Sequence, residues 1–160
     1  MAERPEAPQG TATAESTEQG ILRTCPSCGT KNRVPAEHLA STGRCGSCKA
    51  ELPALAEPLE ANEAIFDAIV KESKVPVLVD FWAAWCGPCR MVAPEVQKAA
   101  ASMAGRALVL KVDTDRNPGL AERFNVLSIP NFVVLKEGRV VMQRPGMVPQ
   151  STMEDWLRSA

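Results

Sequence analysis

The chain has 160 residues, 45% of them hydrophobic, and a formal net charge of −1. This length predicts about one core-forming domain, and the near-zero charge provides no field that would favour nucleic acid or an anionic membrane. The longest apolar stretch, residues 75–85, is interrupted by Pro76 and Asp80 and is too short for a membrane span, which needs about 20 apolar residues. We therefore expect a soluble protein that binds neither nucleic acid nor membranes.

The first 20 residues contain no Val, Ile, Leu, Phe, Trp or Cys. Such a segment cannot bury enough apolar surface to offset its ordering entropy, so residues 1–20 are expected to form a disordered tail. They also lack the basic start and apolar stretch of a secretory signal, and their glutamates argue against a transit peptide. We therefore expect a cytoplasmic protein, in which the six cysteines are metal ligands or redox catalysts rather than structural disulfides.

A predicted metal-binding module covers residues 21–52 and contains two C-x-x-C pairs, separated by 16 residues. That spacing is typical of a zinc site. Each pair is expected to fold as a tight turn, with Gly29 and Gly46 supplying the necessary backbone freedom. Four thiolates close a tetrahedral shell around structural Zn²⁺, and the metal would supply much of the folding free energy of so small a module. Iron in the same cage and two disulfides are the alternatives. The predicted ligands are Cys25, Cys28, Cys45 and Cys48.

A second predicted domain, residues 53–160, begins with a proline-containing linker and then alternates helix and strand signals. Asn62 is a suitable cap for its first helix. Helix–strand alternation followed by a hairpin and a helix predicts an α/β fold, with a mixed sheet covered by helices. In chain order the predicted elements are a helix from Asn62, a strand at 75–81, a helix at 86–103, a strand at 107–112, a helix at 118–124, hairpin strands at 132–135 and 139–142, and a helix at 152–157.

The third C-x-x-C pair, Cys86 and Cys89, follows a buried strand and opens a helix. Spacing of i, i+3 on a helix brings side chains within roughly 5–6 Å, which is compatible with a disulfide. At the helix N-terminus, unpaired backbone N–H groups and the helix dipole favour the Cys86 thiolate. We therefore predict that Cys86 attacks a substrate disulfide and that Cys89, one turn on and more buried, resolves the mixed disulfide. A metal pair and two packing cysteines are the alternatives.

Two further residues support this site. Asp80 interrupts an apolar strand, and a buried carboxylate is costly unless it has a task or a partner. Burial should raise its pKa and suit it to proton exchange with the resolving thiol; a structural salt bridge with Lys111 is an alternative that is compatible with this role. Pro130 precedes a predicted strand, where its peptide bond is either cis in a tight turn or an ordinary trans bond.

The run VDFWAAWCGPCRMVAP at residues 79–94 resembles the thioredoxin family, and the similarity extends over about residues 57–160. The cysteine-rich module resembles the zinc-binding extension of bacterial thioredoxins of the second type. The resemblance implies a central sheet flanked by four helices, a cis bond before Pro130, and proton handling by Asp80 with Lys111. It implies a mostly apolar substrate-binding patch, whose backbone would pair with an extended substrate segment at Ile129. The residues implied for this patch are Trp85, Gly87, Pro88, Ile129, Pro130 and Gly146.

The same resemblance implies disulfide-containing protein substrates and recycling by an NADPH-dependent thioredoxin reductase. Gly87-Pro88 resembles the reducing members of the family, so we predict a general protein-disulfide reductase that acts as a monomer. A disulfide oxidase or isomerase of the same fold is one alternative, and a redox-responsive zinc-thiolate binding protein is another. The chain departs from the family pattern at Asn131, where the family usually has Thr, and at residues 57–59, where the first strand is short and proline-broken.

Overall fold

The computed structural model describes residues 20–160 and the backbone of residues 12–13 and 16–17. The helices are α1 (Glu63–Glu72), α2 (Gly87–Ser102), α3 (Pro118–Arg123) and α4 (Gln150–Ser159), with a short 3-10 helix at Ala36–His38. The strands are β1 (Ala12–Thr13), β2 (Ser16–Thr17), β3 (Gly20–Thr24), β4 (Lys31–Val34), β5 (Gly43–Arg44), β6 (Glu51–Leu52), β7 (Leu59–Glu60), β8 (Val77–Trp82), β9 (Leu108–Asp113), β10 (Asn131–Lys136) and β11 (Arg139–Pro145).

The main sheet has the strand order β1-β7-β9-β8-β10-β11. Strands β7, β8 and β9 are parallel, whereas β10 runs antiparallel to β8, and β11 antiparallel to β10. The predicted mixed sheet flanked by helices is therefore confirmed, and every element predicted after residue 61 is present. Strand β11 is longer than predicted, because its pairing with β10 continues to Asn131 opposite Pro145.

The two faces of the sheet carry separate apolar clusters, as the alternation of side chains along a strand requires. One face, which includes Val79 and Phe81, packs against α1 and α3. The opposite face, which includes Leu78 and Phe132, packs against α2 and α4. Asp80 lies two residues after Leu78 along β8, so its side chain is on the same face of the sheet as Leu78, the face that α2 covers.

Local sequence explains the start of one helix and the turn of one hairpin. Helix α1 begins after Asn62, whose side-chain oxygen accepts a hydrogen bond from Ile65 N at 2.9 Å. The turn between β10 and β11 places Glu137 and Gly138 at positive φ, 51° and 78°, as the favoured two-residue hairpin turns require. None of the described helices combines the length and hydropathy needed to cross a membrane.

The N-terminal module packs directly on the main sheet. Strands β3 and β4 form a hairpin, β5 and β6 form a second ribbon, and Leu55 N donates to Leu39 O at 2.9 Å. Ile21, Leu39 and Leu55 are buried in the same apolar cluster as the residues of α1. The division at residue 52 stays a prediction, and the buried cluster crosses it.

Most of the predicted disordered tail, residues 1–20, lies outside the described residues, so that expectation also stays a prediction. The described parts of this segment are paired. Strand β1 lies parallel to β7, β2 lies antiparallel to β3, and Gly20 begins β3.

Candidate active site and metal centre

Cys86 and Cys89 lie at the start of α2 and are joined by a disulfide, with their Cα atoms 5.3 Å apart. Cys86 caps the helix, and its Sγ accepts a hydrogen bond from Cys89 N at 3.1 Å. Pro88 occupies the first turn, where its missing N–H costs little. A backbone donor and the helix dipole both point at the Cys86 sulfur, so this geometry favours a thiolate there when the pair is reduced.

Both cysteines are equally buried, each with 3% of its surface exposed. The expectation that Cys89 is the more buried of the two is therefore wrong for this oxidised pair. The reason lies in the packing, because Trp82 and Ile129 lie against the cluster that contains both sulfurs.

The loop before β10 lies against the disulfide. The Ile129–Pro130 peptide bond is cis, and Ile129 O lies 3.8 Å from Cys86 Sγ. Gly146, with φ at 93°, donates its N–H to Pro130 O at 2.8 Å. The end of β11 therefore holds this loop in place, and Ile129 and Pro130 come together with Cys86 as the resemblance implies.

Several large apolar side chains at or near the predicted site residues in the sequence are exposed. Trp85 is 67% exposed, and its indole Nε1 donates to Asp115 Oδ2 at 3.0 Å. Leu127 is 88% exposed, and it lies two residues before Ile129. The described large hydrophobic residues that are exposed and lie within two positions of a predicted site residue are Trp85, Met91, Leu127 and Met147. An apolar partner segment would find contact area here.

Asp80 is 1% exposed, and neither of its side-chain oxygens has a hydrogen-bond partner among the described residues. Burial raises its pKa to about 7, although the positive charge of Lys111 opposes that rise. Lys111 lies opposite Asp80 on β9, but its Nζ sits over the Trp82 ring, 4.4 Å from the centroid. The described part of the chain therefore contains no salt bridge between Asp80 and Lys111, and only their Coulomb attraction remains.

Sequence reasoning missed Glu60, which lies opposite Lys111 on β7. Its Oε1 accepts a hydrogen bond from Trp82 Nε1 at 3.2 Å, and its Oε2 is buried without a partner among the described residues. Burial raises the pKa of Glu60 to about 7. The only sequence feature that marks Glu60 is its charge between the apolar residues Leu59 and Ala61, just before the helix cap Asn62.

Asn131, the departure from the family pattern, lies inside the molecule. It is 4% exposed, and its Oδ1 accepts a hydrogen bond from Gln143 Nε2 at 3.3 Å. The same amide nitrogen donates to Phe124 O at 2.8 Å. Gln143 on β11 therefore links Asn131 on β10 to Phe124, which follows the end of α3.

The buried carboxyl group of Asp80 should make the free energy of unfolding depend on pH. Below about pH 4 the Asp80 carboxyl is protonated in both the folded and the unfolded chain. Between about pH 4 and about pH 7 it ionises only in the unfolded chain, so the free energy of unfolding falls as the pH rises through this window. We expect Asp80→Asn to stabilise the oxidised protein by roughly 2–4 kcal/mol above pH 7 and by little near pH 4. Urea unfolding at both pH values measures this. Asp155→Asn, at a 76% exposed side chain, is the control, and an equal gain at both pH values would contradict the account.

The four remaining cysteines converge on one point. Their Sγ atoms all lie within 4.8 Å of one another. Two of these separations are 3.7 Å, between Cys25 and Cys48, and 3.6 Å, between Cys28 and Cys45. Zinc–sulfur bonds of about 2.3 Å in a tetrahedron place the sulfurs about 3.8 Å apart. The four thiol groups therefore fit a zinc ion.

The two turns that carry these cysteines repeat each other. Cys25 O accepts from Gly29 N at 2.9 Å, and Cys45 O accepts from Lys49 N at 3.1 Å. The positive φ needed at that position is 76° at Gly29 and 63° at Lys49. The expected use of Gly46 is therefore wrong, because the left-handed residue is the fourth after the first cysteine.

Asn32 connects the two turns. Its Oδ1 accepts from Gly46 N at 2.9 Å, and its Nδ2 donates to Cys45 Sγ at 3.5 Å. Hydrogen bonds from outside the ligand shell orient metal ligands. Asn32 is therefore a second residue whose position the sequence pattern did not reveal.

Comparison with family models gives two matches. Residues 57–159 match the family described as thioredoxin, and residues 24–50 match the family described as thioredoxin 2, N-terminal, a zinc ribbon. The first match contains the Cys86–Cys89 disulfide, and the second contains all four clustered cysteines.

Individual relatives agree with the family models. Thioredoxin C-3 of Corynebacterium nephridii is 42% identical over 137 residues, which cover 86% of this chain and 93% of that protein. Thioredoxin 1 of Synechococcus elongatus is 46% identical over 96 residues, covering 60% of this chain and 90% of that protein. The solved structure of a mutant thioredoxin from Halobacterium salinarum superposes with a TM-score of 0.61 at 32% identity, covering 65% of this chain and 90% of that one.

Proposed function

Because the chain belongs to the thioredoxin family of thiol–disulfide oxidoreductases and carries the thioredoxin 2 zinc ribbon, we propose that it is a general protein-disulfide reductase. The observation that carries the proposal is the position of Cys86 as the N-cap of α2, where its sulfur accepts the Cys89 N–H. A thiolate stabilised in this way at a helix N-terminus is the nucleophile that disulfide exchange needs.

The reaction proceeds in two exchanges. The Cys86 thiolate attacks one sulfur of the substrate disulfide; that bond breaks, one substrate thiolate leaves, and a mixed disulfide forms. The Cys89 thiolate then attacks Cys86 Sγ, releases the second substrate thiol and leaves the disulfide seen in this structure. Two electrons pass from the dithiol to the substrate in total.

We assign to Asp80 the role of accepting the proton of the Cys89 thiol. The carboxyl lies on the sheet face that α2 covers, and Cys89 is among the buried residues of α2. Burial raises the pKa of Asp80 to about 7, which suits a group that must take and return a proton near neutral pH. Lys111 moderates that pKa through its charge.

The substrate is an extended segment that carries a disulfide. Ile129 and Pro130 present backbone beside Cys86, as the 3.8 Å approach of Ile129 O indicates, and main-chain pairing reads no particular sequence. Trp85, next to Cys86 in the chain, and Leu127, two residues before Ile129, add exposed apolar area. These features support a broad range of protein substrates rather than one. Gly87, Pro88 and Gly146 complete the proposed binding face.

The zinc ribbon has a structural role in this proposal. Cys25, Cys28, Cys45 and Cys48 would hold one Zn²⁺, which when bound supplies a cross-link between the two turns. With four sulfur ligands the shell is closed, so the module takes no part in the exchange. We place the protein in the cytoplasm and expect it to act as a monomer.

Recycling is tested with NADPH, a bacterial thioredoxin reductase and insulin. We expect this protein to sustain NADPH oxidation only when all three are present, because the reductase must return two electrons to the Cys86–Cys89 disulfide. Absorbance at the NADPH band measures the rate. If dithiothreitol supports insulin reduction by this protein but NADPH with the reductase does not, the proposed recycling partner is wrong.

A further inference from the structure

Three neighbouring strands place one charged residue each in a row beneath α2. Glu60 on β7 lies opposite Lys111 on β9, and Lys111 lies opposite Asp80 on β8. Residues opposite each other in adjacent strands point to the same face of the sheet. One ammonium group therefore lies between two carboxyl groups, on the face that also carries the α2 packing cluster.

The polar atoms of this row are poorly paired. Both oxygens of Asp80 and Oε2 of Glu60 are buried without a hydrogen-bond partner among the described residues. The remaining oxygen, Glu60 Oε1, accepts from the Trp82 indole, and the Lys111 ammonium lies over the same ring. A single positive charge does not neutralise two buried carboxylates, so ionising either one makes ionising the other harder.

The surrounding elements bring little further charge. Asp113 and Arg116 act on Glu60, but they form an ion pair with each other at 3.8 Å. Phe132 of β10 lies opposite Asp80. The buried residues of α2 include one titratable group, Cys89, and those of α4 include none. Within the described chain, Lys111 is thus the cation that the two carboxyls share.

We propose that Glu60 is a positioning residue for Asp80: the two carboxyls share Lys111, so the charge of Glu60 sets the pH at which Asp80 can accept the Cys89 proton. The proposal rests on the role assigned to Asp80 in the proposed function. Burial raises the pKa of each carboxyl to about 7, which places the titration of the pair in the working range. The charge of Glu60 is among the causes that raise the pKa of Asp80, so the titration of Asp80 depends on the ionisation of Glu60.

The test uses Glu60→Gln in the full-length protein with its zinc. Glutamine keeps an oxygen that can accept the Trp82 N–H and removes only the charge. The matched control is Glu63→Gln, at a 61% exposed carboxylate three residues along the chain. The pH titration of the Asp80 carboxyl is followed by carbon NMR, and the Trp82 indole N–H signal reports the ionisation of Glu60 because the two are hydrogen-bonded.

We expect the Asp80 midpoint to fall by about one pH unit in Glu60→Gln, since the like charge is gone and Lys111 acts on Asp80 alone. The acid limb of the insulin-reduction profile should move to lower pH with it. We also expect the Trp82 indole signal to titrate at lower pH in Asp80→Asn than in the wild type. Glu63→Gln should change none of these measurements.

An Asp80 midpoint in Glu60→Gln that matches the Glu63→Gln control would overturn the proposal. A shifted midpoint with an unshifted activity profile would overturn the role of Glu60 in the reaction. If Asp80→Asn keeps the wild-type activity profile, the proton role of Asp80 in the proposed function is wrong. The NMR comparison of Glu60→Gln with Glu63→Gln then still decides whether the charge of Glu60 affects the Asp80 carboxyl.

Discussion

Replacing Cys86 with serine is expected to abolish insulin-disulfide reduction, whereas Cys89→Ser is expected to capture the substrate as a stable mixed disulfide. In the first variant the nucleophile at the α2 N-cap is gone. A serine hydroxyl in its place cannot form a disulfide, so the rate should fall by at least about 10³-fold, or ~4 kcal/mol of activation free energy. In the second variant the attack still occurs, but the thiol that releases the substrate is missing.

Non-reducing gels and peptide mass spectrometry after incubation with oxidised insulin distinguish these outcomes. The linked peptide should contain Cys86 and one insulin cysteine. Zinc content is measured on both variants, since the clustered cysteines of the N-terminal module are untouched and should retain metal. Reductase activity that survives in Cys86→Ser, or a trapped linkage through Cys89 in that variant, would contradict the assigned roles.

Removing one metal ligand is expected to unfold the N-terminal module and leave the exchange reaction largely intact. Cys45→Ser should lose the single equivalent of zinc that the wild type binds, because structural zinc in such small modules supplies on the order of 10 kcal/mol of folding free energy. Amide protection should then fall in strands β3 to β6. The dithiol lies on the sheet face covered by α2, whereas the module packs on the α1 face, so insulin reduction should stay within about threefold of wild type.

Ser47→Ala is the matched control for this variant, because residue 47 lies in the same turn and uses its backbone N–H, rather than its hydroxyl, toward Cys45 Sγ. Metal is counted by mass spectrometry of the purified protein, and amide exchange maps the unfolded region. A full equivalent of zinc in Cys45→Ser would show that the fourth sulfur is not a ligand. Iron in the wild-type protein would show that the metal assignment is wrong.

The order of helices and strands after residue 61 could be predicted because each element has a strong local pattern. Asn62 supplies a cap, the residues of β8 are apolar except for Asp80, and Glu137-Gly138 form a recognisable turn. Strand β7 lacks such a signal. It is two residues long and is fixed by its pairing with β9, which places Leu59 opposite Leu110. Tertiary pairing therefore defines this strand, and local sequence does not.

The residues of the candidate site also fall into those that local sequence predicts and those that only tertiary structure reveals. Cys86 and Cys89 could be identified because the spacing and the helix start are local features. Lys111 could be assigned to Asp80 as a neighbour, but its position over the Trp82 ring depends on side-chain packing. Glu60 carries only a weak sequence signal, a charge between two apolar residues, since its importance arises from the register of three strands that are far apart in sequence.

The same distinction separates the two turns of the metal centre. The spacing of the cysteines predicts the convergence of four sulfurs that the structure contains. It does not reveal that Lys49 adopts the left-handed conformation, or that Asn32 links the turns across 14 residues. A lysine at positive φ costs more than a glycine, and the backbone hydrogen bond from Lys49 N to Cys45 O helps to hold it there.

The reduction potential of the Cys86–Cys89 pair tests the central claim most directly, because it determines whether the dithiol gives electrons to protein disulfides or takes them. Equilibration of the full-length protein with glutathione or dithiothreitol buffers, followed by alkylation and mass spectrometry, measures it. We take the value known for thioredoxins, about −270 mV, as the expectation for a reductase with Gly87-Pro88 between its cysteines. A potential near the roughly −180 to −120 mV of isomerases and oxidases would contradict the account.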